Sequence, residues 1–315
     1  MTDPQIELTA PDIRPFRTGN AGVDYVHRFV APQPGPHVLV TAIVHGNELC
    51  GAIALDWLMR SDLRPRRGTL TLAFCNVEAY GRFDPAEPTR SRFVDEDFNR
   101  VWDPRTLDGG RDSAELRRAR ALRPVVDAAD FLLDIHSMQN PTAPLMLCGP
   151  LEKGRAWARR IGFPQTIVSD AGHAAGLRMR DYGGFGDPDS ARNALLVECG
   201  QHWERAAAEV ARETMLRVLR DLGTLGGADV AVHLPADPPP PARLIEITAA
   251  ITVATDSFAF AGDFVGMEIV PRRGTVIGHD GETPVTTPYD DCVLIMPSRR
   301  LARGQTAVRL GRFVH

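Results

Sequence analysis

The sequence predicts an α/β fold, a mostly parallel mixed sheet flanked by helices, followed by a small all-β domain at the C-terminus. Three observations carry this reading. Continuous apolar, β-rich runs alternate with segments of helical pattern through residue 235. A proline cluster then interrupts the alternation, and short β-type runs separated by Gly, Asp and Pro turns follow it. At 315 residues the chain also exceeds the ~250–300 at which single cores stop growing, so two domains are expected.

Taken in order, the strands predicted to be buried on both faces are His37–Val44 (HVLVTAIV), Thr69–Val77, Phe131–Ile135, Pro144–Cys148, Thr166–Ser169 and Ala194–Val197. The helices between and after them are Glu48–Met59, Ser113–Ala128, Glu152–Arg160 and Glu204–Leu222. Ser113 reads as an N-cap, and Gly223 as a stop after the last helix. Pro235–Pro241 lacks amide donors and is stiff, as an interdomain connection should be. The expected division is therefore 1–235, a linker at 236–243, and a β-domain at 244–315 built from Leu244–Val253, Gly266–Pro271, Thr275–Ile277, Cys292–Met296 and Thr306–Leu310.

Composition removes several function classes. With 43% hydrophobic and 24% charged residues the chain is neither disordered nor membrane-spanning, for no apolar run reaches the ~18 residues a span requires. Met1–Glu7 is acidic and no apolar stretch follows it, which fits neither a secretory signal nor a transit peptide and predicts a cytoplasmic protein. A net charge of −4 argues against nucleic acid as a partner. Five cysteines without a C-x-x-C pair support neither a disulfide framework nor a Cys-rich zinc module. Of the 36 basic residues only Lys153 is a lysine, so there is no G-x-x-x-x-G-K-[ST] phosphate loop. The C-terminal runs look like a biotinyl/lipoyl-type β-fold, yet with no lysine after Lys153 that domain cannot carry either cofactor.

Four segments carry candidate chemistry. His45-Gly46-Asn47-Glu48 ends the first strong strand and starts a helix, a spacing at which His45 and Glu48 can share one metal ion. Asp134-Ile135-His136-Ser137 puts His136 just beyond another strand, where it would complete a His2Glu set with a fourth position open to water, and Asp134 is placed to orient an imidazole. Glu198 follows the apolar run Ala194–Val197, where a carboxylate is costly unless it faces a cleft, a partner or a metal. His202 nearby is expected at the surface or in a cap, with proton donation as the alternative. Ser91–Arg100 is polar: Arg92 and Arg100 offer planar forks and Asn99 an amide donor, while a plain surface loop would pair Asp95, Glu96 and Asp97 with those arginines. All four segments follow predicted strands, and in open α/β sheets sites form in the crevice beyond the carboxyl ends of the strands.

H-G-N-E, S-R-F-V-D-E-D-F-N-R, D-I-H-S and V-E-C-G, in this order, resemble the succinylglutamate desuccinylase/aspartoacylase family, relatives of the zinc carboxypeptidases. The resemblance extends to Gly304–Arg312 (GQTAVRLGR) and covers nearly the whole chain. Phe98, where the family usually has Leu, and Cys199, where Val or Leu is common, depart from its pattern. The resemblance implies a zinc-carboxypeptidase-like fold and one Zn2+ per chain on His45, Glu48 and His136. It further implies Glu198 as general base, Arg92 on the scissile carbonyl, and Asn99 with Arg100 on a substrate carboxylate. A further substrate-binding arginine before Glu198 is matched equally by Arg178, Arg180 and Arg192, around a glycine-rich Tyr182–Gly186 that reads as a lid or a plain loop. A homodimer, and a β-domain that shapes the approach to the metal, are implied as well. The expected activity is hydrolysis of the amide bond of a small N-acyl amino acid. The rivals are a metallocarboxypeptidase acting on peptides and a non-catalytic metal-containing binding protein.

Overall fold

A computed structural model describes residues 5–172, 175–299 and 301–314; the first four residues of the acidic N-terminal stretch lie outside the described residues. The chain opens with β1 (Val26–Val30) and β2 (Gln33–Ala42), followed by α1 (Leu49–Arg60), β3 (Arg67–Phe74) and the short α2 (Val77–Tyr80). The polar Ser91–Arg100 segment follows, then α3 (Pro104–Asp108), α4 (Ala114–Asp127) and β4 (Phe131–Met138). Ser113 caps α4 as expected, its Oγ accepting from Leu116 N at 3.0 Å. Next come β5 (Leu145–Leu147), α5 (Glu152–Ile161), β6 (Thr166–Ser169), β7 (Asn193–Gln201), α6 (Arg205–Asp221) and α7 (Gly227–Ala231). Beyond the proline cluster every element is a strand: β8 (Arg243–Thr252), β9 (Phe258–Phe260), β10 (Glu268–Val270), β11 (Val276–Asp280), β12 (Thr283–Thr286), β13 (Cys292–Ile295) and β14 (Thr306–Val314).

Eleven strands form one mixed sheet in the order β1-β3-β2-β4-β7-β5-β6-β8-β14-β13-β10, and β12-β11-β9 form a separate antiparallel sheet. The centre, β3-β2-β4-β7, is parallel. β5 runs antiparallel to β7, which makes the sheet mixed. Alternation along each central strand sorts its side chains between two cores. Val38, Val40, Leu133 and Leu195 pack under α1, α5 and α6, whereas Leu39, Leu132 and Ala194 pack under α4.

The C-terminal strands do more than follow the linker. β8 pairs in parallel with β6 over Thr166–Ser169, and Ile245, Val293 and Ile295 share a core with Leu145, Leu147, Val168 and Leu196. The large sheet thus continues across the proline cluster. Two strand predictions need correction. β4 runs through His136 to Met138 and β7 through Glu198 to Gln201, so both residues lie within strands rather than just beyond them. The ladder continues because the backbone of these polar residues still pairs with its neighbour, whatever the side chains do.

Candidate active site

β4 and β7 bring two of the candidates together by register, since His136 is the ladder partner of Glu198. The period-2 pleat puts Asp134 on the same face as His136. Asp134 Oδ2 lies 2.9 Å from His136 Nε2, and its Oδ1 accepts from Thr41 Oγ1 at 2.7 Å. Nδ1 of His136 therefore faces the cleft, 2.9 Å from Glu48 Oε2. His45 is built the same way: its Nδ1 is 2.7 Å from Glu48 Oε1 and its Nε2 is 3.0 Å from Asp97 Oδ1.

Local backbone explains how His45 reaches this place. After β2, Ile43 adopts φ 52°, a strained value for a β-branched residue, and turns the chain off the sheet. Glu48 then stands at the N-cap of α1 rather than within it, its N–H bonded to His45 O at 3.2 Å.

The ligand-capable atoms of His45, Glu48 and His136 all lie within 4.8 Å of one another, and all three residues are buried. Among the described residues no other such group of three occurs. Each imidazole gives its second nitrogen to a carboxylate, the arrangement that orients a metal-ligating histidine. The donor set, its closeness and its carboxylate backing fit a divalent metal ion.

Electrostatics follow from burial. Desolvation alone would push the Glu48 carboxyl up, but the two imidazoles outweigh it and hold it well below the ordinary range. Burial likewise opposes charge on His136, while Asp134 and Glu48 hold its ring well above the usual histidine value. Asp97, half-buried, is held well down by His45 and Arg92 against the desolvation that would raise it. Glu198 goes the other way. Burial and the Glu48 and Asp134 charges outweigh the pull of His136 and Arg92 and raise it to about 8. Its Oε2 has no hydrogen-bond partner among the described residues.

Arg92 Nη2 stands 2.9 Å from His45 Nε2 and 3.1 Å from Asp97 Oδ2. Asn99 turns Oδ1 to Met179 N at 2.9 Å, which leaves its Nδ2 as the atom a ligand can use. Arg100 is held in place through its own contact with Asn99 O at 2.7 Å. Arg92, Asp97, Asn99 and Arg100 line one cleft of about 220 Å³ together with His45, Glu48, His136 and Glu198. The surface-loop pairing expected for Ser91–Arg100 holds only for Asp97. Asp95 accepts from Ala114 N, and Glu96 binds Arg111 and Ser113.

Of the three arginines left open, only Arg178 lines the cleft. Each of its three nitrogens has a carboxylate partner, both terminal ones on Asp170 (2.9 and 2.8 Å) and Nε on Asp181 (2.6 Å). Arg180 is bonded to Asp181 and to the Cys148 and Ala194 carbonyls, and Arg192 closes the carbonyl end of α4 through Val126, Asp127 and Ala129. His202 is not a surface residue: it is buried in the cleft wall, with Nδ1 2.9 Å from Ser137 Oγ. Arg309 of β14 also lines the cleft and was not anticipated. Its position in an apolar C-terminal strand was the one available signal, since a charged side chain there needs a buried partner. That partner is Asp170 Oδ2, 3.6 Å away.

Residues 34–222 match the model of the succinylglutamate desuccinylase/aspartoacylase catalytic domain. Solved structures share the fold at low identity. Succinylglutamate desuccinylase from Vibrio parahaemolyticus superposes with a TM-score of 0.69 at 16% identity, over 93% of this chain and 87% of its own. A succinylglutamate desuccinylase/aspartoacylase from Rhodobacter sphaeroides gives 0.64 at 19%, over 92% and 89%. The product-bound ectoine utilization protein EutE from Ruegeria pomeroyi gives 0.60 at 18%, over 91% and 87%. No curated protein sequence matches the chain significantly. No helix among the described residues is long and apolar enough to cross a membrane.

Proposed function

The chain belongs to the succinylglutamate desuccinylase/aspartoacylase family, and from that premise we propose that it is a zinc-dependent hydrolase of the amide bond of a small N-acyl amino acid. The observation that carries this reading is the meeting in one cleft of a buried His2Glu set, a carboxylate with an unengaged Oε2 and a guanidinium beside them. Zinc suits two imidazoles and one carboxylate with an open position, and when bound it supplies Lewis acidity toward a carbonyl and a water.

Glu198 takes a proton from the attacking water at Oε2 and delivers it to the leaving amine. Its low-dielectric setting makes it a stronger base than an exposed carboxylate. Arg92 opposes the negative charge that develops on the carbonyl oxygen. Asn99 Nδ2 and the Arg100 guanidinium receive the substrate carboxylate. The small cleft, closed on one side by Met296–Arg299 and Arg309 from the C-terminal strands, supports an acyl amino acid over a peptide. Five buried, unbridged thiols suit a reducing compartment and support a cytoplasmic enzyme.

The test is metal content of the purified protein together with amine release from acetyl-, succinyl- and formyl-amino acids, before and after chelation. Near-stoichiometric zinc and chelator-sensitive release are expected. Glu198→Gln should keep the metal and lose turnover by about 10²–10⁴-fold. Release that survives chelation, or a Glu198→Gln variant of undiminished rate, would overturn the reading. Preferential cleavage of short peptides would make the protein a carboxypeptidase, and bound metal without hydrolysis of any amide would make it a binding protein.

A further inference from the structure

The segment that carries Arg92, Asp97, Asn99 and Arg100 into the cleft has little regular structure of its own, only two single 3-10 turns at Arg90–Arg92 and Phe98–Arg100. Its main-chain amides need acceptors from elsewhere. Three consecutive ones find the same acceptor: Val94, Asp95 and Glu96 donate to the Glu115 carboxylate at 2.7, 3.0 and 3.2 Å. Asn76 Nδ2, from the turn after β3, adds a fourth donor at 2.9 Å. Glu115 lies in the first turn of α4 and is 0% exposed. The clasp is reciprocal, for Asp95 Oδ2 accepts from Ala114 N and Glu96 Oε1 from Ser113 Oγ.

The residue that follows the three held amides is Asp97, which holds His45 Nε2 and Arg92. The far end of the segment is anchored separately, by Met179 N on Asn99 Oδ1 and by Trp102 N on Leu177 O at 3.2 Å. We infer that Glu115 is a positioning residue of the active site: through the amides of residues 94–96 it sets Arg92 and Asp97 against His45, while the Asn99–Arg100 end, bonded to Asp97 through Asn99 N and Arg100 N at 2.9 Å each, is also held by its own anchors at Met179 and Leu177. Its catalytic consequence rests on the hydrolase reading; its structural consequence does not.

Glutamine in place of Glu115 keeps the shape, yet its amide NH2 confronts main-chain donors and leaves N–H groups without an acceptor. Glu115→Gln is therefore expected to lower kcat by about 10–100-fold, as a misplaced catalytic group does. KM should move by less than kcat, because the carboxylate-binding end, although bonded to Asp97, keeps further anchors at Met179 and Leu177. In an Arg92→Ala background the same change should cost less than in the wild type, since only its effect through Asp97 on His45 remains. Amide hydrogen exchange should quicken at residues 92–97 and stay unchanged in α4 and β4. Equal kcat losses with and without Arg92, or faster exchange spread through α4 and β4, would reduce Glu115 to a general stabilising contact and overturn the inference. Should the wild-type chain hydrolyse no acyl amino acid, the hydrolase reading falls while exchange still decides this one: acceleration confined to 92–97 upholds it, and none at all overturns it.

Discussion

Gly46 shows how tightly single residues are constrained around the metal-ligand turn. A Cβ there would lie 2.5 Å from Ala79 C, Tyr80 N and Ser91 O, all of them backbone atoms that cannot swing aside. Its own N–H donates to Arg92 O at 3.0 Å. The glycine of H-G-N-E therefore lets the turn bearing His45 and Glu48 close directly on the arginine segment. Gly46→Ala is expected to destabilise the fold by about 1–3 kcal/mol through overpacking and to cut turnover at least tenfold by pushing Arg92 away from His45. Thermal melting and steady-state kinetics on the same preparation check this, and a variant within twofold of wild type in both would contradict it. His45, Glu48, His136 and Glu198 were legible as candidates because each is a polar residue at an apolar strand or its end. His202 was legible only as an alternative proton donor expected at the surface, and Arg309 was not singled out, because the burial of each depends on distant parts of the chain.

Between elements, ion pairs do what hydrogen-bonded ladders cannot. Asp170, just past β6, takes both terminal nitrogens of Arg178 from the segment before β7 and lies 3.6 Å from Arg309 of β14. Burial would raise the Asp170 carboxyl, but Arg178, aided by Arg309 and Arg180, holds it well below the carboxylate range. Burial, joined by the Arg178 and Arg100 guanidiniums, outweighs the pull of Asp170 and brings Arg309 down to about 10. A carboxylate whose native pKa is depressed adds stability that is present above its unfolded pKa of about 4 and is lost as pH falls toward the native value. Wild-type stability should accordingly fall steeply below about pH 4. Asp170→Asn should flatten that part of the curve and cost about 3–5 kcal/mol at neutral pH, because Arg178 is left buried with half its partners. Denaturant unfolding at several pH values measures both, and parallel wild-type and variant curves would refute it. The glycine-rich Tyr182–Gly186 stretch is likewise settled by a contact between elements. Lys153 Nζ on α5 reaches the carbonyls of Gly184, Asp187, Ser190 and Arg192 at 2.6–2.9 Å, and Phe185 is buried. The only lysine in the chain is a clamp on that loop.

For the molecule as a whole, the proline cluster marks a change of pattern without ending the sheet. β8 covers the edge of β6, and the core shared by Leu145, Leu147, Val168, Ile245, Val293 and Ile295 spans both sides of the cluster. A chain ending at residue 235 would expose that apolar face and the hydrogen-bonding edge of β6, the combination that leads to aggregation. It should be insoluble or oligomeric, and without activity, since one wall of the cleft is lost. Size-exclusion chromatography of the truncated chain tests this; a soluble, monomeric, cooperatively melting product would show that residues 1–235 form an independent unit.

The sequence by itself determined the alternation of buried strands and amphipathic helices, the β-only C-terminus, and the four polar segments at strand ends. These are local properties, readable from apolar periodicity and from the cost of placing a charge beside a buried strand. The tertiary structure alone decided that β4 and β7 run on through His136 and Glu198 in register, that Glu115 gathers the amides of residues 94–96, and that β14 brings Arg309 opposite Asp170. Each depends on groups tens of residues or more apart meeting at hydrogen-bond or ion-pair distance, and no local pattern encodes which distant partner will satisfy a buried donor or charge.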